Sequence, residues 1–309
     1  MYPEWNNQKK KLYKKYAVTA SVSVACFLFL IKTFAALATG SLAILSSLVD
    51  SLSDIVASIV SFIAVRISAK PASCTHKYGY FKAEHLSALV QAAFVAGSGI
   101  FVLYGGIERL LNPFRIKQMN VGIWVMILSL IATFVLVLFQ NYVAKHTNSM
   151  AVRADSGHYV SDFLSNGAVI VSLFVVKFFD VFWFDTITAL IIAMYLIFYA
   201  YKIAREATDF LMDKELPEEI KRKVSNMALK TRGVKGMHDM RTRDLGGVYY
   251  FELHVEMDGS LLLEEAHQIC ERVEHKIKKA YPEAQVLIHQ DPFGVKEDRL
   301  DDFLENCLL

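Results

Sequence analysis

The chain has 309 residues, 54% of them hydrophobic and 21% charged, with a formal net charge of +2. That is too apolar for an ordinary soluble protein and too charged for one lying wholly in lipid, so a membrane part joined to a soluble part is expected. The near-balance of charge excludes the basic footprint of a nucleic-acid binder. The scattered cysteines Cys26, Cys74, Cys270 and Cys307 contain no C-x-x-C, which argues against a disulfide framework and fits a reducing compartment.

In chain order, the polar, lysine-rich N-terminus leads into an apolar run too long for a signal-peptide core, so it reads as a retained first helix. A membrane span needs roughly 20 mostly apolar residues. The sequence predicts such helices over 16–38, 41–66, 86–107, 121–143, 152–179 and 184–204. "ATGS" makes a tight hairpin between the first two, Pro113 breaks the chain between the third and fourth, and the aromatics of "KFFDVFWFD" suit a membrane interface. Lys9, Lys10, Lys11, Lys14 and Lys15, then Arg66, Lys70, Lys77 and Lys82, then Lys145 and Arg153 fall on one side. Only Arg109, Arg115, Lys117 and Lys177 fall on the other. The positive-inside rule then puts both termini in the cytoplasm, as an even number of spans requires.

Beyond about residue 213 the character changes. "ELPEEIKRKVSNMALK" is a charged amphipathic helix with a Pro near its start. "HDMRTRDLGGVYYFELHVEMDG" is a hairpin with Phe251, Leu253, Val255 and Met257 on one face and Tyr250, Glu252, His254 and Glu256 on the other. A second amphipathic helix and a strand, "AQVLIHQDP", follow. Two helices and three strands predict a small α+β domain with its helices on one face of a sheet. The domains are expected at 1–212, 213–292 and, as an acidic tail, 293–309.

Ionisable groups in lipid are costly and mark a functional pathway. In "SLVDSLSDIVASIV", Asp50 and Asp54 lie one helical turn apart within a stripe of Ser47, Ser51 and Ser58. In "RADSGHYVSDFLSNGA", His158 and Asp162 repeat that spacing, flanked by Asp155, Ser165 and Asn166. Like charges one turn apart in a low dielectric want a cation or protons between them. Three carboxylates and one imidazole make a four-coordinate set for a borderline divalent ion such as Zn²⁺. Because such ligands must be deprotonated to bind, the set also offers a coupling of metal to protons, with His158 as a carrier near neutral pH. A structural carboxylate pair and a pure proton relay are the alternatives at this point. No H-E-x-x-H is present, which argues against a membrane metalloenzyme.

These stretches, with "YGYFKAEHLSALVQ", "LMDKELP", "MHDMRTRDLGG" and "IHQDP", resemble the cation diffusion facilitator family, in its bacterial zinc/iron efflux branch, over nearly the whole chain. The resemblance implies a homodimer in a lipid bilayer, with six transmembrane helices and a cytosolic ferredoxin-like, metallochaperone-like domain per protomer. It also implies export of a divalent metal against protons by alternating access, and the bacterial inner membrane as its place. It puts the transport site on Asp50, Asp54, His158 and Asp162, a set linked to zinc and cadmium and also to iron. Imidazole favours Zn²⁺, while three oxygens leave Fe²⁺, Co²⁺ and Cd²⁺ as candidates. A metal-sensing membrane protein without flux is a second reading, disfavoured because a sensor needs no midplane ligands.

The resemblance also implies a cytosolic binuclear site at His238, His254, His267, His289 and Asp291, with Asp291 bridging the ions. Backbone parity constrains it. A two-residue Gly246-Gly247 turn in a regular hairpin pairs His238 with Val255 and separates the histidines, so the site requires a longer loop or a bulge. In the first long loop, "PASCTHKYGYFKAEH", the family's acidic residue and two histidines fall on Ser73, His76 and Tyr80. Only His76 is kept, with Cys74 or His85 as substitutes, so a site there is expected to be weak. Lys82 and Asp213 match a family salt bridge near the membrane surface, expected to brace a hinge.

Overall fold

The computed structural model describes residues 7–39, 42–111, 120–179, 183–296 and 299–300. The expected features at residues 40–41, at Pro113, within the 180–182 link and over 301–309 lie outside the described residues. The chain divides into two compact units, Met1–Thr208 and Asp209–Leu309.

Helices α1 (Asn7–Thr39), α2 (Leu42–Ser68), α3 (Lys82–Leu111), α4 (Asn120–Thr147), α5 (Met150–Phe179) and α6 (Trp183–Leu211) make up the first unit. Among the described residues, five segments are long and apolar enough to cross a membrane: Gln8–Phe34, Ser51–Ser68, Lys82–Glu108, Ile127–Thr147 and Ile187–Leu211. The described half of α5 instead carries Arg153, Asp155, His158 and Asp162. Helix α1 starts well before the apolar run, because the Lys- and Gln-rich segment consists of good helix formers. Lys14 there pairs with Glu84 of α3 at 2.9 Å. Glu84 is buried and also accepts from the hydroxyls of Ser68 and Ser149, so one carboxylate gathers residues of α1, α2 and α3 and the residue preceding α5.

Small residues let the helices approach. Ala17 and Val18 meet Val65, Val143, Ala144, Ala151 and Val152, while Ala88 and Ala92 meet Ala154, Ile203 and Ala207. At Gly157 of α5, a Cβ would lie 2.2 Å from the Tyr199 ring of α6, so only glycine fits there. Large apolar side chains such as Phe34, Phe101, Ile191 and Phe198 stay exposed on the outside, as expected of a surface that lipid covers.

In the second unit, α7 (Glu218–Leu229) and α8 (Leu263–Ala280) pack on a sheet of β1 (Gly236–Asp244), β2 (Tyr249–Met257) and β3 (Gln285–Pro292) in the order β1-β2-β3. β1 and β2 are antiparallel, β2 and β3 parallel. The core holds Phe251, Leu253, Val255 and Met257 of β2 against Val224 and Ala228 of α7 and Ala266, Ile269, Cys270, Val273 and Ile277 of α8. The inward and outward residues of β2 alternate as the sequence predicts. Burial also pushes the Cys270 thiol above its ordinary range.

The hairpin resolves the parity question. Leu245 N–H donates to the Val248 carbonyl at 2.8 Å, and Asp244 faces Tyr249, so the turn is the two-residue Gly246-Gly247 one. Both glycines have positive φ, 91° and 96°, as the primed hairpin turns require. The Asp244 carboxylate caps them by accepting both their N–H groups. The register then slips between Arg241 and His238, so that His238 faces His254. The slip is a β-bulge at Asp239–Met240, with Asp239 at φ 50°, a left-handed conformation that aspartate tolerates better than most residues. Of the two routes open from the sequence, the chain uses the bulge.

Candidate metal centres

In the first unit, His158 of α5 meets two carboxylates. Its Nε2 lies 3.1 Å from Asp54 Oδ1 of α2 and 3.8 Å from Asp162 Oδ2, one turn along α5. The possible ligand atoms of the three lie within 4.8 Å of one another. A tetrahedral ion with bonds of roughly 2.0–2.1 Å holds its ligands about 3.3–3.4 Å apart, and the observed separations bracket that value. Asp50 stands on α2 one turn before Asp54, and its side chain lies outside the described residues. His158 is 3% exposed, while the Asp54 and Asp162 side chains beside it keep 14% and 26% exposure. Around the cluster the bundle is polar, and the buried Lys32 of α1 donates from Nζ to Ser51 Oγ of α2 at 2.6 Å. Ser21, Ser58 and Tyr159 share hydroxyl hydrogen bonds of 2.7–3.4 Å. Phe94 packs edge-on against His158, with ring centroids 6.1 Å apart.

In the second unit, the ligand set lies on the sheet face opposite the helices. Asp291 of β3 is buried, and its two oxygens serve different histidines. Oδ2 is 2.8 Å from His254 Nδ1 and 3.6 Å from His238 Nε2, while Oδ1 is 3.1 Å from His289 Nε2. Register explains the convergence: His254 pairs across to His238 on one side and to His289 on the other. A carboxylate whose oxygens address separate imidazoles is a donor set suited to two ions.

Glu256, one position along the same face, is a residue the sequence reading passed over as a ligand. Its Oε1 is 3.2 Å from His238 Nδ1, it is 6% exposed, and Arg299 bonds it. The outward face of β2 contained that signal, since Glu256 follows His254 by two. Asp239, in the bulge, also comes within ligand distance of His238 and His254.

Two expected residues stand apart. His267 lies on the outer side of α8, 65% exposed, with Nε2 3.5 Å from Glu271. Because α8 covers the other face of the sheet, His267 does not reach Asp291 within one chain. In the first loop, His76 stacks on Tyr80 at 4.5 Å and its Nδ1 is 3.0 Å from Thr75 Oγ1. Ser73 bonds Tyr80 at 3.0 Å, so the hydroxyls there satisfy one another and the imidazole. Cys74 is exposed, and among the described residues no trio of candidate ligands forms around His76. Asp213, at φ 56°, has Arg243 3.4 Å away in its own unit. Lys82 opens α3 in the other.

Comparison with known proteins agrees with both units. The cation efflux transmembrane domain matches residues 18–212, and the cytoplasmic domain of cation efflux proteins matches 216–293. The chain is 42% identical over 276 residues to the cation-efflux pump FieF of Pectobacterium atrosepticum, covering 89% of this chain and 92% of that one. To FieF of Citrobacter koseri it is 40% identical over 295 residues, 94% and 96% of the two chains. Among solved structures, the zinc form of CzrB matches over 28% of this chain and 99% of its own, at 29% identity and a TM-score of 0.25.

Proposed function

The chain belongs to the cation efflux family, as a multi-pass membrane protein that moves divalent metal cations, and from that premise we propose that it exports Zn²⁺ from the cytosol in exchange for protons. The observation that carries this reading is the Asp54–His158–Asp162 cluster, a mixed oxygen and imidazole set between two helices of the membrane unit with its imidazole buried. With Asp50 it is the transport site. Cargo binds only to deprotonated carboxylates and neutral imidazole, so its arrival displaces protons and its release readmits them. Imidazole selects Zn²⁺ over hard cations, while Fe²⁺, Co²⁺ and Cd²⁺ share the same donors.

The second unit holds regulatory zinc at His238, His254, His289 and Asp291. His267 joins such a site only across a dimer, as its place on the far face of the sheet requires. Two copies assemble through these domains, in the bacterial inner membrane and with both termini cytoplasmic. The first loop, with His76 and Cys74, binds metal weakly if at all, since its hydroxyls already occupy His76.

The test is Zn²⁺ flux into proteoliposomes under an imposed pH gradient, for the wild type, Asp54→Asn and His158→Ala. Gradient-driven flux in the wild type, lost in both variants, supports the reading. Tight zinc binding without flux in the wild type sinks it, and anaerobic Fe²⁺ flux is then measured in its place.

A further inference from the structure

Three residues before His158 on α5 stands Asp155, fully buried and used by neither metal cluster. Its contacts come from four other helices. Gln140 Nε2 of α4 donates to Oδ2 at 2.6 Å, and Gln91 Nε2 of α3 lies 3.3 Å from Oδ1. The hydroxyls of Ser21 on α1 and Ser61 on α2 complete the shell. All of these are neutral. The titratable neighbours on its own helix are His158, which is engaged with Asp54 and Asp162, and Tyr159, which is bonded to Ser58. Helix α6 offers Tyr199 and Glu206, but these reach the carbonyl and the guanidinium of Arg153. Glu84 makes the contrast, since it is also buried yet has the Lys14 ammonium beside it. Among the described residues an ionised Asp155 has no ammonium or guanidinium paired with it, and the His158 imidazole whose charge reaches it is shared with Asp54 and Asp162, so its burial as a charge is expensive.

The shell fits both protonation states. The amide nitrogens supply donors to a carboxylate. The amide oxygens Gln91 Oε1 and Gln140 Oε1 are buried without a donor. Half a turn of either amide presents that oxygen to a carboxylic acid O–H. Gln91 Nε2 has two hydrogens and three acceptors in reach, the Ala57 carbonyl, Ser61 and Asp155, so one more proton relieves a shortage. A relay is also at hand. Ser21, which bonds Asp155, lies 2.8 Å from the Ser58 hydroxyl, which lies 2.7 Å from Tyr159 Oη. Hydroxyls both donate and accept, so the chain can pass a proton along.

We propose that Asp155 is a proton-carrying site distinct from the metal ligands, protonated when the Asp54–His158–Asp162 cluster is without cargo and emptied when a divalent cation enters it. The step along α5 is about 4.5 Å, so the field of the cation reaches Asp155 without coordinating it. The O–H bond breaks with its electron pair left on the carboxylate, and the proton leaves through the hydroxyls to water. This inference rests on the proton-exchange reading above and adds a proton that ligand displacement alone does not supply.

The experiment measures protons moved per Zn²⁺ in proteoliposomes, with a pH dye and a zinc dye read together, for the wild type, Asp155→Asn and Asp155→Glu. Zinc binding to detergent-solubilised protein serves as the control. The expected result is about one proton fewer per ion in Asp155→Asn, with zinc still bound, and restoration of the ratio in Asp155→Glu. An unchanged ratio in folded Asp155→Asn overturns the inference alone. Absence of proton movement in the wild type overturns the exchange reading and this inference with it. If Asp155→Asn does not fold, infrared difference spectra on zinc addition decide. A carboxylic-acid carbonyl band lost from the wild type and shifted in Asp155→Glu supports the site, and no such band refutes it.

Discussion

The helical cluster and the sheet cluster hold comparable donors on different backbones. Asp54, His158 and Asp162 come from two helices, and around them lie the hydroxyls of Ser21, Ser58 and Tyr159 and the rings of Phe94 and Tyr159. His238, His254, His289 and Asp291 come from adjacent strands, aligned by hydrogen-bonded register, and the acid is already held by its histidines. The helical site depends on how whole helices pack, and rocking of those helices can assemble and disperse it. The sheet site depends on a ladder that does not slide, so it is suited to holding an ion rather than releasing one.

The variants that probe this contrast differ in size of effect. Largest is the loss of a helical ligand. Asp54→Asn or His158→Ala should reduce zinc affinity at the helical cluster by more than the roughly 10–100-fold that loss of a supporting partner costs. Isothermal titration of the full-length protein should still find the ions of the second unit. Loss of those ions as well would mean that the two clusters are not separable.

Next is Asp291→Ala. In the wild type, zinc at 100 times its Kd should stabilise the domain by about 2.7 kcal/mol, seen as a rise in Tm. That rise should vanish in the variant while pH-driven flux continues. Abolished flux would make the sheet cluster part of the transport path.

Lys14→Met leaves Glu84 to hydroxyl donors alone and should cost about 2 kcal/mol, below the figure for a fully enclosed pair because Lys14 retains some exposure. Denaturant unfolding of the purified protein measures it. No loss would mean that the helical unit tolerates an unpaired buried carboxylate. Smallest is Gly247→Ala, where the positive φ should cost about 1 kcal/mol and leave zinc binding unchanged.

Much of this was legible because helices and strands leave periodic marks. The stripe through Asp50 and Asp54 and the pair His158 and Asp162 announce themselves at a spacing of four. The alternation of Phe251, Leu253 and Val255 with Glu252 and His254 gives the core face and the metal face. Parity even showed that the Gly-Gly hairpin needed an irregularity, though it left open whether a longer loop or a bulge supplied it. The shell of Asp155 was not legible. Gln91, Gln140, Ser21 and Ser61 lie on four helices far apart in sequence, and each alone is an ordinary polar residue in an apolar run. His267 shows the opposite limit. Its place in the chain is clear from sequence, but which sheet face α8 covers, and hence what His267 reaches, is a property of the fold.

The bulge at Asp239–Met240 has a consequence for portability. Upstream of it, His238 is in phase with the metal face; downstream, the strand follows the beat of the Gly246-Gly247 turn. The site is therefore encoded in a count of residues as much as in their kind. Copying His238, His254, His289 and Asp291 onto a regular hairpin of the same fold would put His238 on the apolar side, however faithful the side chains. Transplanting the bulge with them would restore it, whereas deleting Asp239 here would remove the extra residue and leave His238 opposite His254 in a regular ladder.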